Sequence, residues 1–134
     1  MLAKKVAAFL LFASLIVPSI TLAEEELAPG FSACEEKADN MADNIECAVN
    51  AYKYWDEKLN ANFKKAKSLC ADAENPKACE SQLLKAQRLW IQYKEAMAQT
   101  LFQIHGGGSL ARLESDMFFA RETKKQAQLL QLGD

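Results

Sequence analysis

The sequence contains very little histidine, proline and glycine. Its 134 residues include one histidine, three prolines and five glycines. Because His105 is the only histidine, a Ser-His-Asp or Cys-His catalytic arrangement would have to be built beside a flexible glycine run. We instead expect His105 to act as a cation-capable residue at the carboxyl end of a helix. Cofactor motifs are also absent, so the sequence predicts no cofactor, no metal site and no enzymatic activity.

The sequence also lacks the alternating pattern of β-strands, internal repeats and low-complexity tracts. What it has instead is a spacing of three and four between apolar residues, which is typical of helices. We therefore predict an all-α fold, a small up-down-up bundle of three main helices plus a short N-terminal segment. That segment, residues 24–31, is expected to be a loose arm.

The first main helix is predicted from Asn40 to about Ala73, with Asn40 or Asp43 as its cap. Asn75-Pro76 then ends the first helix and begins the second, since asparagine caps helices and proline suits the first helical position. The apolar residues of this first helix are Met41, Ile45, Ala48, Tyr52, Trp55, Leu59, Phe63, Ala66 and Leu69.

The second helix includes Leu83 to Glu95, a stretch without glycine or proline around which we expect the other elements to pack. It ends at Gly106-Gly107-Gly108, where residues free to take positive φ can reverse the chain. Its predicted buried stripe, with Gln87, Arg88, Lys94 and Glu95 as polar neighbours, consists of Leu83, Ala86, Trp90, Tyr93, Met97, Leu101 and Ile104.

The third helix is predicted to begin with Ser109 as its cap and to be interrupted by a polar turn at Thr123 or Lys124. Its expected apolar stripe consists of Leu110, Leu113, Met117, Ala120, Ala127 and Leu130.

The first 23 residues resemble a secretory signal peptide. Lys4 and Lys5 form a basic head, an apolar run follows to Val17, and Thr21-Leu22-Ala23 suits a cleavage site. The run is too short to span a bilayer comfortably. We therefore predict a cleaved leader, residues 1–23, a single helical domain, residues 24–134, and a periplasmic or secreted product without a stable membrane anchor.

Acidic residues are concentrated near the amino end of the predicted product. The whole chain carries 16 basic and 18 acidic side chains, and the loss of Lys4 and Lys5 would leave a net charge of −4. Residues 24–47 carry eight acids against the single Lys37. This argues against a nucleic-acid partner and allows a basic protein as partner. A solvated acidic flank that only keeps the protein soluble is the alternative.

Four cysteines lie in the predicted product, and an exported chain with an even number usually oxidises them. Three pairings are possible. We expect the local one, Cys34 with Cys47 and Cys70 with Cys79, which would clasp the turn between the first two helices. Zinc is a weak competitor, because the spacings do not resemble zinc knuckles.

Several short motifs follow one another along the chain. They are Asp56 with Leu59-Asn60 and Phe63, Leu84 with Gln87-Arg88, Trp90-Ile91 with Tyr93-Lys94-Glu95, Gly107-Gly108-Ser109, and Thr123 with Ala127 and Leu130. Together they resemble the LprI-type lysozyme-inhibitor domain family. The resemblance implies an exported helical protein, with Asp56, Leu59, Asn60, Gln87, Arg88, Trp90, Tyr93 and Thr123 as structural motif residues. It also implies lysozyme inhibition as the activity of some members.

The sequence departs from that family's usual pattern at three points. Lys94 stands where an arginine follows the tyrosine, and Gln126 stands where the closing arginine is usual. A further cysteine pair, expected near Met97 or Ala98 and near Phe118, is absent. Cys70 and Cys79 replace it as a clasp, and the loss of both partners leaves no odd thiol.

Three functions stay open. The chain is a binding protein that blocks a basic lysozyme-like enzyme, a structural or accessory envelope protein, or an enzyme. An inhibitor must present a loop or edge to the cleft of its target. The predicted docking edge lies where the glycine turn meets the acidic start of the first helix, at Asp39, Asp43, His105, Gly106, Gly107, Gly108 and Ser109. The alternatives there are a surface turn with no partner, or docking at the opposite turn, residues 72–77.

Overall fold

Four α-helices make up most of the part of the chain that the computed structural model describes, residues 25–132. Within that range there is no strand, and a short 3-10 turn, Cys70–Asp72, continues the second helix. The predicted all-α bundle is therefore confirmed, whereas the predicted leader lies outside the described residues. The helices are α1 (Phe31–Glu35), α2 (Met41–Leu69), α3 (Pro76–Ile104) and α4 (Gly108–Leu129).

Asn40 is the residue that caps α2. Its side-chain oxygen accepts hydrogen bonds from the backbone N–H groups of Ala42 at 2.8 Å and Asp43 at 3.1 Å. The Asp43 carboxylate in turn accepts from the backbone N–H of Asp39 at 3.0 Å and from the Asn40 side chain at 2.9 Å. This reciprocal arrangement satisfies amide groups that a helix start leaves without partners.

The hairpin between α2 and α3 has the predicted form. Asn75 caps α3 by accepting from the backbone N–H of Ala78 at 3.1 Å, and Pro76 occupies the start of the helix. A disulfide joins Cys70 to Cys79, with their Cα atoms 5.4 Å apart, and clasps the hairpin. The second disulfide joins Cys34 to Cys47 and ties α1 to α2. Both predicted pairings are confirmed.

The helix at the centre of the bundle is α4, not α3. It contacts both α2 and α3, and most extensively α2. The reason is the size of its buried side chains, because small residues allow two helix backbones to approach closely. The predicted interruption at Thr123 is also wrong, since α4 runs through that position and Thr123 is fully buried. Its buried residues are Ala111, Ser115, Ala120, Thr123 and Ala127.

The buried stripe of α3 is rotated from the predicted one. Tyr93 and Ile104 were expected inside but are 49% and 71% exposed, and Ala86 is exposed as well. Lys94 and Ala98 are the buried residues of this helix. Similarly, Leu110 of α4 is 56% exposed and does not join the core.

The segment before α1 is docked and not loose. The backbone carbonyl of Leu27 accepts a hydrogen bond from the Trp55 indole N–H at 2.6 Å. The Lys124 ammonium donates to the carbonyl of Glu26 at 2.9 Å and forms an ion pair with Glu25 at 3.1 Å. Ala28 is buried in a cluster with Phe31, Cys47, Ala51 and Ala120. The arm therefore extends the core of the bundle.

No helix within residues 25–132 is long and apolar enough to cross a membrane.

Candidate functional site

The turn between α3 and α4 is built from glycines in left-handed backbone conformations. Gly106, Gly107 and Gly108 have φ values of 78°, 73° and 84°. The amide of Gly107 donates to the carbonyl of Phe102 at 3.1 Å, and that of Gly106 donates to Gln103 at 3.0 Å. These two bonds form a Schellman ending for α3. Since one such residue is enough to end a helix, the run of three leaves a turn almost bare of side chains.

Large apolar side chains flank this bare turn and point into solvent. Ile104 is 71% exposed and Leu110 is 56% exposed, one on each side of the glycines. His105 and Ser109 are exposed between them. The predicted role of Ser109 as the helix cap is wrong, because α4 begins at Gly108 with Gly107 in the cap position and no side-chain bond. Ser109 is therefore available at the surface.

The predicted acidic residues lie at the start of α2. Asp39 is exposed, whereas the Asp43 carboxylate is engaged by the amides that it caps. Because α3 returns antiparallel to α2 after the hairpin, the start of α2 and the end of α3 lie at the same end of the bundle. Asp39 is thus the freer of the two acids for a partner, and Asp43 serves the helix start.

A groove opens at this same end between α2 and α3, with α4 as its floor. Its volume is about 510 Å³, which is within the range of ligand sites. Gly107 lies beside it, since a Cβ atom there would be 3.8 Å from the Phe102 ring. We call it the anchor groove, and it is lined by Val49, Tyr52, Gln99, Phe102, Arg112, Ser115, Asp116 and Phe119.

One ion pair lies in the anchor groove. The Nε of Arg112 is 2.6 Å from the Asp116 carboxylate, one helical turn further along α4. The Asp116 side chain is only 15% exposed, whereas that of Arg112 is 59% exposed. The hydroxyl of Ser115 donates to the carbonyl of Ala98 at 3.2 Å and so joins α4 to α3 beneath the groove.

Beneath the anchor groove, Lys94 is buried among aromatic rings. Its ammonium nitrogen lies 4.4 Å from the ring centre of Trp90, 5.1 Å from that of Tyr52 and 5.0 Å from that of Phe119. The residue is 5% exposed. The three rings come from α3, α2 and α4, so this one side chain connects all the long helices through cation–π contacts.

Burial changes the acid–base properties of this cluster. Loss of solvation lowers the pKa of Lys94, while Asp56 and Glu95 act in the opposite direction. The pKa of Tyr52 is raised, first by burial and then by the negative charge of Asp56. Asp56 and Glu95 therefore lie close enough to act on both groups.

The motif residues of the family resemblance occupy varied environments. Leu59 and Thr123 are buried, Trp90 is half-buried, and Arg88 and Tyr93 are exposed. The amide of Asn60 donates to Asp56 at 3.2 Å. The Gln87 side chain accepts from Gln126 at 3.1 Å, across α3 and α4. The structure thus places most of these residues along the helix interfaces and not at the glycine turn.

Sequence reasoning missed the anchor groove and the burial of Lys94. A signal for Lys94 exists, because it follows Leu83, Gln87 and Trp90 at spacings of four, three and four. Because Gln87 and Lys94 are polar, a search for apolar residues alone does not find this stripe. The groove has no such signal, since it depends on how three helices diverge. Residues 25–132 contain no group of three or more side chains suited to hold a metal ion.

Comparison with known proteins identifies a family. The family model described as "Lysozyme inhibitor LprI" matches residues 33–130, from α1 to the end of α4. No curated protein and no solved structure matches the chain. LprI is an inhibitor family and not an enzyme family. Since the match covers α2, α3, α4 and part of α1, and most of the sequence, the chain belongs to the LprI family of lysozyme inhibitors.

Proposed function

We propose that the chain is an exported inhibitor of a basic lysozyme-type enzyme and that it docks through the glycine turn, residues 105–109. The observation that carries this proposal is the exposure of Ile104 and Leu110 on both sides of the bare turn. Two large apolar side chains facing solvent around a protruding loop are typical of a contact surface. These two side chains do not pack in the core of the bundle, so packing does not explain their position.

The turn also suits the shape and charge of its target. A glycoside hydrolase has a cleft with two carboxyl groups, and a narrow loop without side chains can enter it. Exposed His105 and Ser109 offer hydrogen-bond donors for those carboxyl groups. Asp39, at the same end of the bundle, would meet basic residues at the rim of the enzyme. In this scheme the inhibitor blocks the cleft by occupying it.

Export is part of the proposal. Two disulfides in a small domain support an oxidising compartment, because thiols remain reduced in the cytosol. We propose that cleavage after Ala23 releases residues 24–134 into the periplasm or the medium without a membrane anchor. Amino-terminal sequencing of the protein from an envelope fraction should begin at Glu24. A protein that retains Met1 would contradict the cleavage.

The test of inhibition is a cell-wall lysis assay with a basic lysozyme and the oxidised protein, residues 24–134. Ile104→Ser combined with Leu110→Ser should weaken inhibition about tenfold or more, because the exposed contacts are lost. Leu129→Ser is the matched control, since Leu129 is 66% exposed at the other end of α4. It should inhibit as well as the parent.

Further variants separate the turn from its acidic neighbour. Asp39→Lys should weaken inhibition by opposing a basic partner, whereas Asp43 is avoided because its carboxylate accepts hydrogen bonds from the Asp39 backbone and the Asn40 side chain at the start of α2. If the turn variant and Asp39→Lys both inhibit like the parent, the docking surface is elsewhere, with residues 72–77 as the next candidate. If the parent does not inhibit, inhibition is wrong and an accessory envelope role takes its place.

A further inference from the structure

We propose that the anchor groove receives one basic side chain, an arginine or a lysine, from the enzyme that the turn contacts. The inference rests on the proposed function and adds a defined anchoring site to it. The guanidinium or ammonium group would pair with Asp116, and its aliphatic stem would lie against Tyr52, Phe102 and Phe119.

The walls of the anchor groove suit a cation. Aromatic faces attract positive charge, and arginine stacks on them while its guanidinium pairs with a carboxylate. Two of the three rings already contact a cation in this structure, because the Lys94 ammonium lies 5.1 Å from the Tyr52 ring and 5.0 Å from the Phe119 ring. Since Lys94 already lies against these rings, the incoming cationic group pairs with Asp116 and its aliphatic stem contacts the rings.

Asp116 already has a basic group of this chain as its partner. Arg112 holds it at 2.6 Å, but 59% of the Arg112 side chain is exposed to solvent. Such exposed pairs contribute little to stability, so a guanidinium from outside can replace Arg112 at small cost. Arg112 then turns into solvent. The Asp116 carboxylate, 15% exposed, gains a partner that is more completely removed from water.

The charge around the anchor groove also favours a basic group. Asp116 lies in it, and Asp56 and Glu95 are close enough to Tyr52 and Lys94 to shift the pKa values of both. Against these three carboxylates stand two cations, Lys94 and Arg112. These five groups therefore carry one negative charge in excess before the partner arrives, and this excess attracts a cation.

The anchor groove is continuous with the docking surface. Phe102 lines it, and the Phe102 backbone carbonyl accepts a hydrogen bond from the amide of Gly107 in the turn. An enzyme seated on the turn therefore covers the mouth of the groove. Hot spots of protein interfaces are frequently arginines buried in pockets with aromatic walls, surrounded by contacts that exclude water. The exposed Ile104 and Leu110 would form part of that surrounding ring.

The first test measures the affinity of the oxidised protein, residues 24–134, for a basic lysozyme by calorimetry. Asp116→Asn should weaken binding about tenfold, whereas Arg112→Gln should bind as tightly as the parent or more tightly. Glu122→Gln is the matched control, because Glu122 is also 15% exposed and also paired within α4, with Lys125 at 2.7 Å. It should not change the affinity.

A second variant guards against a folding effect of Asp116→Asn. Gln99 is exposed on α3 and lines the anchor groove, so Gln99→Lys adds a positive charge there without disturbing the core. It should also weaken binding. If Asp116→Asn and Gln99→Lys, with helicity like the parent, both bind lysozyme with unchanged affinity, the inference is overturned while the proposed function stands.

A third measurement does not use lysozyme. N-acetyl-arginine amide at millimolar concentration should shift the NMR signals of Tyr52, Phe102 and Gln99, and the citrulline analogue, which lacks the charge, should not. Shifts with arginine alone support the anchor groove even if lysozyme is not inhibited, in which case only the proposed function fails. Equal shifts with both compounds, or shifts with neither, contradict a cation site.

Discussion

Lys94 is the only charged side chain that is buried within residues 25–132. Burial among three rings removes water from its ammonium, and this lowers its pKa in the folded protein below the usual value of about 10.5. Between the folded pKa and 10.5 the unfolded chain binds more protons than the folded chain. The free energy of unfolding therefore rises with pH across that interval.

We predict that this pH dependence disappears in Lys94→Met, a change that keeps an unbranched side chain of similar volume. Urea unfolding from about pH 8 to about pH 10 should show the parent gaining stability relative to the variant as the pH rises. Above about pH 10 the comparison is not clean, because the raised pKa of Tyr52 gives an effect of opposite sign. A constant difference between the two proteins below that pH would contradict the prediction.

Lys94 has three aromatic rings as partners, whereas Thr123 is a buried polar residue whose side chain has no polar partner within residues 25–132. It is fully buried, and its hydroxyl has no hydrogen-bond partner in the part of the chain that the structure describes. Burial of an unpaired hydroxyl costs about 1 to 3 kcal/mol. Thr123→Val, which replaces that hydroxyl with a methyl group, should raise the free energy of unfolding by about 1 kcal/mol or more.

Chemical denaturation of the Thr123→Val protein checks this. Ser115→Ala is the contrasting variant, since the Ser115 hydroxyl donates to the Ala98 carbonyl and its loss should destabilise the fold by about 1 kcal/mol. If Thr123→Val lost stability as Ser115→Ala does, the threonine hydroxyl would have to be bonded in solution.

Among the elements, α2 was the most predictable from sequence and α4 the least. The apolar stripe of α2 continues for several turns, and Leu69 is its exposed exception, 42% accessible. In α4 the buried positions are alanine, serine and threonine, which carry little hydrophobic signal even though they allow the closest helix contact. Large residues such as Leu110 suggested a different face. Side-chain size and not hydrophobicity thus determines which helix lies at the centre.

The candidate site likewise has one part that the sequence predicted and one part that it did not. The glycine turn and the disulfide pairings depend on residues near one another in the sequence, so local rules predicted them, and the same rules narrowed the cap of α2 to Asn40 or Asp43. The anchor groove and the surroundings of Lys94 depend on Tyr52, Trp90 and Phe119, which come from three different helices. Such contacts between distant residues are not encoded by the periodicity of any single helix.

The hairpin between α2 and α3 allows a prediction at the scale of an element. Its disulfide closes a loop with a sequence separation of 9, and a bridge of this size is worth roughly 2 to 3 kcal/mol. Cys70→Ala combined with Cys79→Ala should lower the free energy of unfolding by that amount while the helical content is retained, because Asn75 and Pro76 still define the turn.

Lys67 and Glu80 offer a control at the same hairpin. They form an exposed ion pair of 2.8 Å across it, and Lys67→Gln should cost less than about 1 kcal/mol. Thermal unfolding followed by circular dichroism measures both changes. A cysteine variant as stable as the parent would show that the clasp contributes no stability beyond the helix packing.

The charge of the whole molecule is unevenly distributed, and this affects how it meets a partner. Without the predicted leader the net charge is −4, and residues 24–47 carry eight of the acidic side chains. The disulfide between Cys34 and Cys47 holds that acidic segment against the start of α2. Asp39, Asp43 and Glu46 lie at or near the start of α2, at the end of the bundle that also carries the glycine turn, whereas Glu25 pairs with Lys124 further along α4.

The negative field of these acids accelerates the approach of a basic enzyme more than it holds the complex together. We predict that the association rate with a basic lysozyme falls by about tenfold when the ionic strength rises from about 0.05 M to about 0.5 M, because the Debye length shortens below the separation of most charge pairs. The dissociation rate should change much less, since it depends on short-range contacts of Ile104, Leu110 and the turn. Surface plasmon resonance at several salt concentrations separates the two rates.

Asp39→Lys should reduce the salt dependence of association, and Leu129→Ser should not. An association rate that is the same at low and high salt would mean that the enzyme does not approach the acidic end of the bundle.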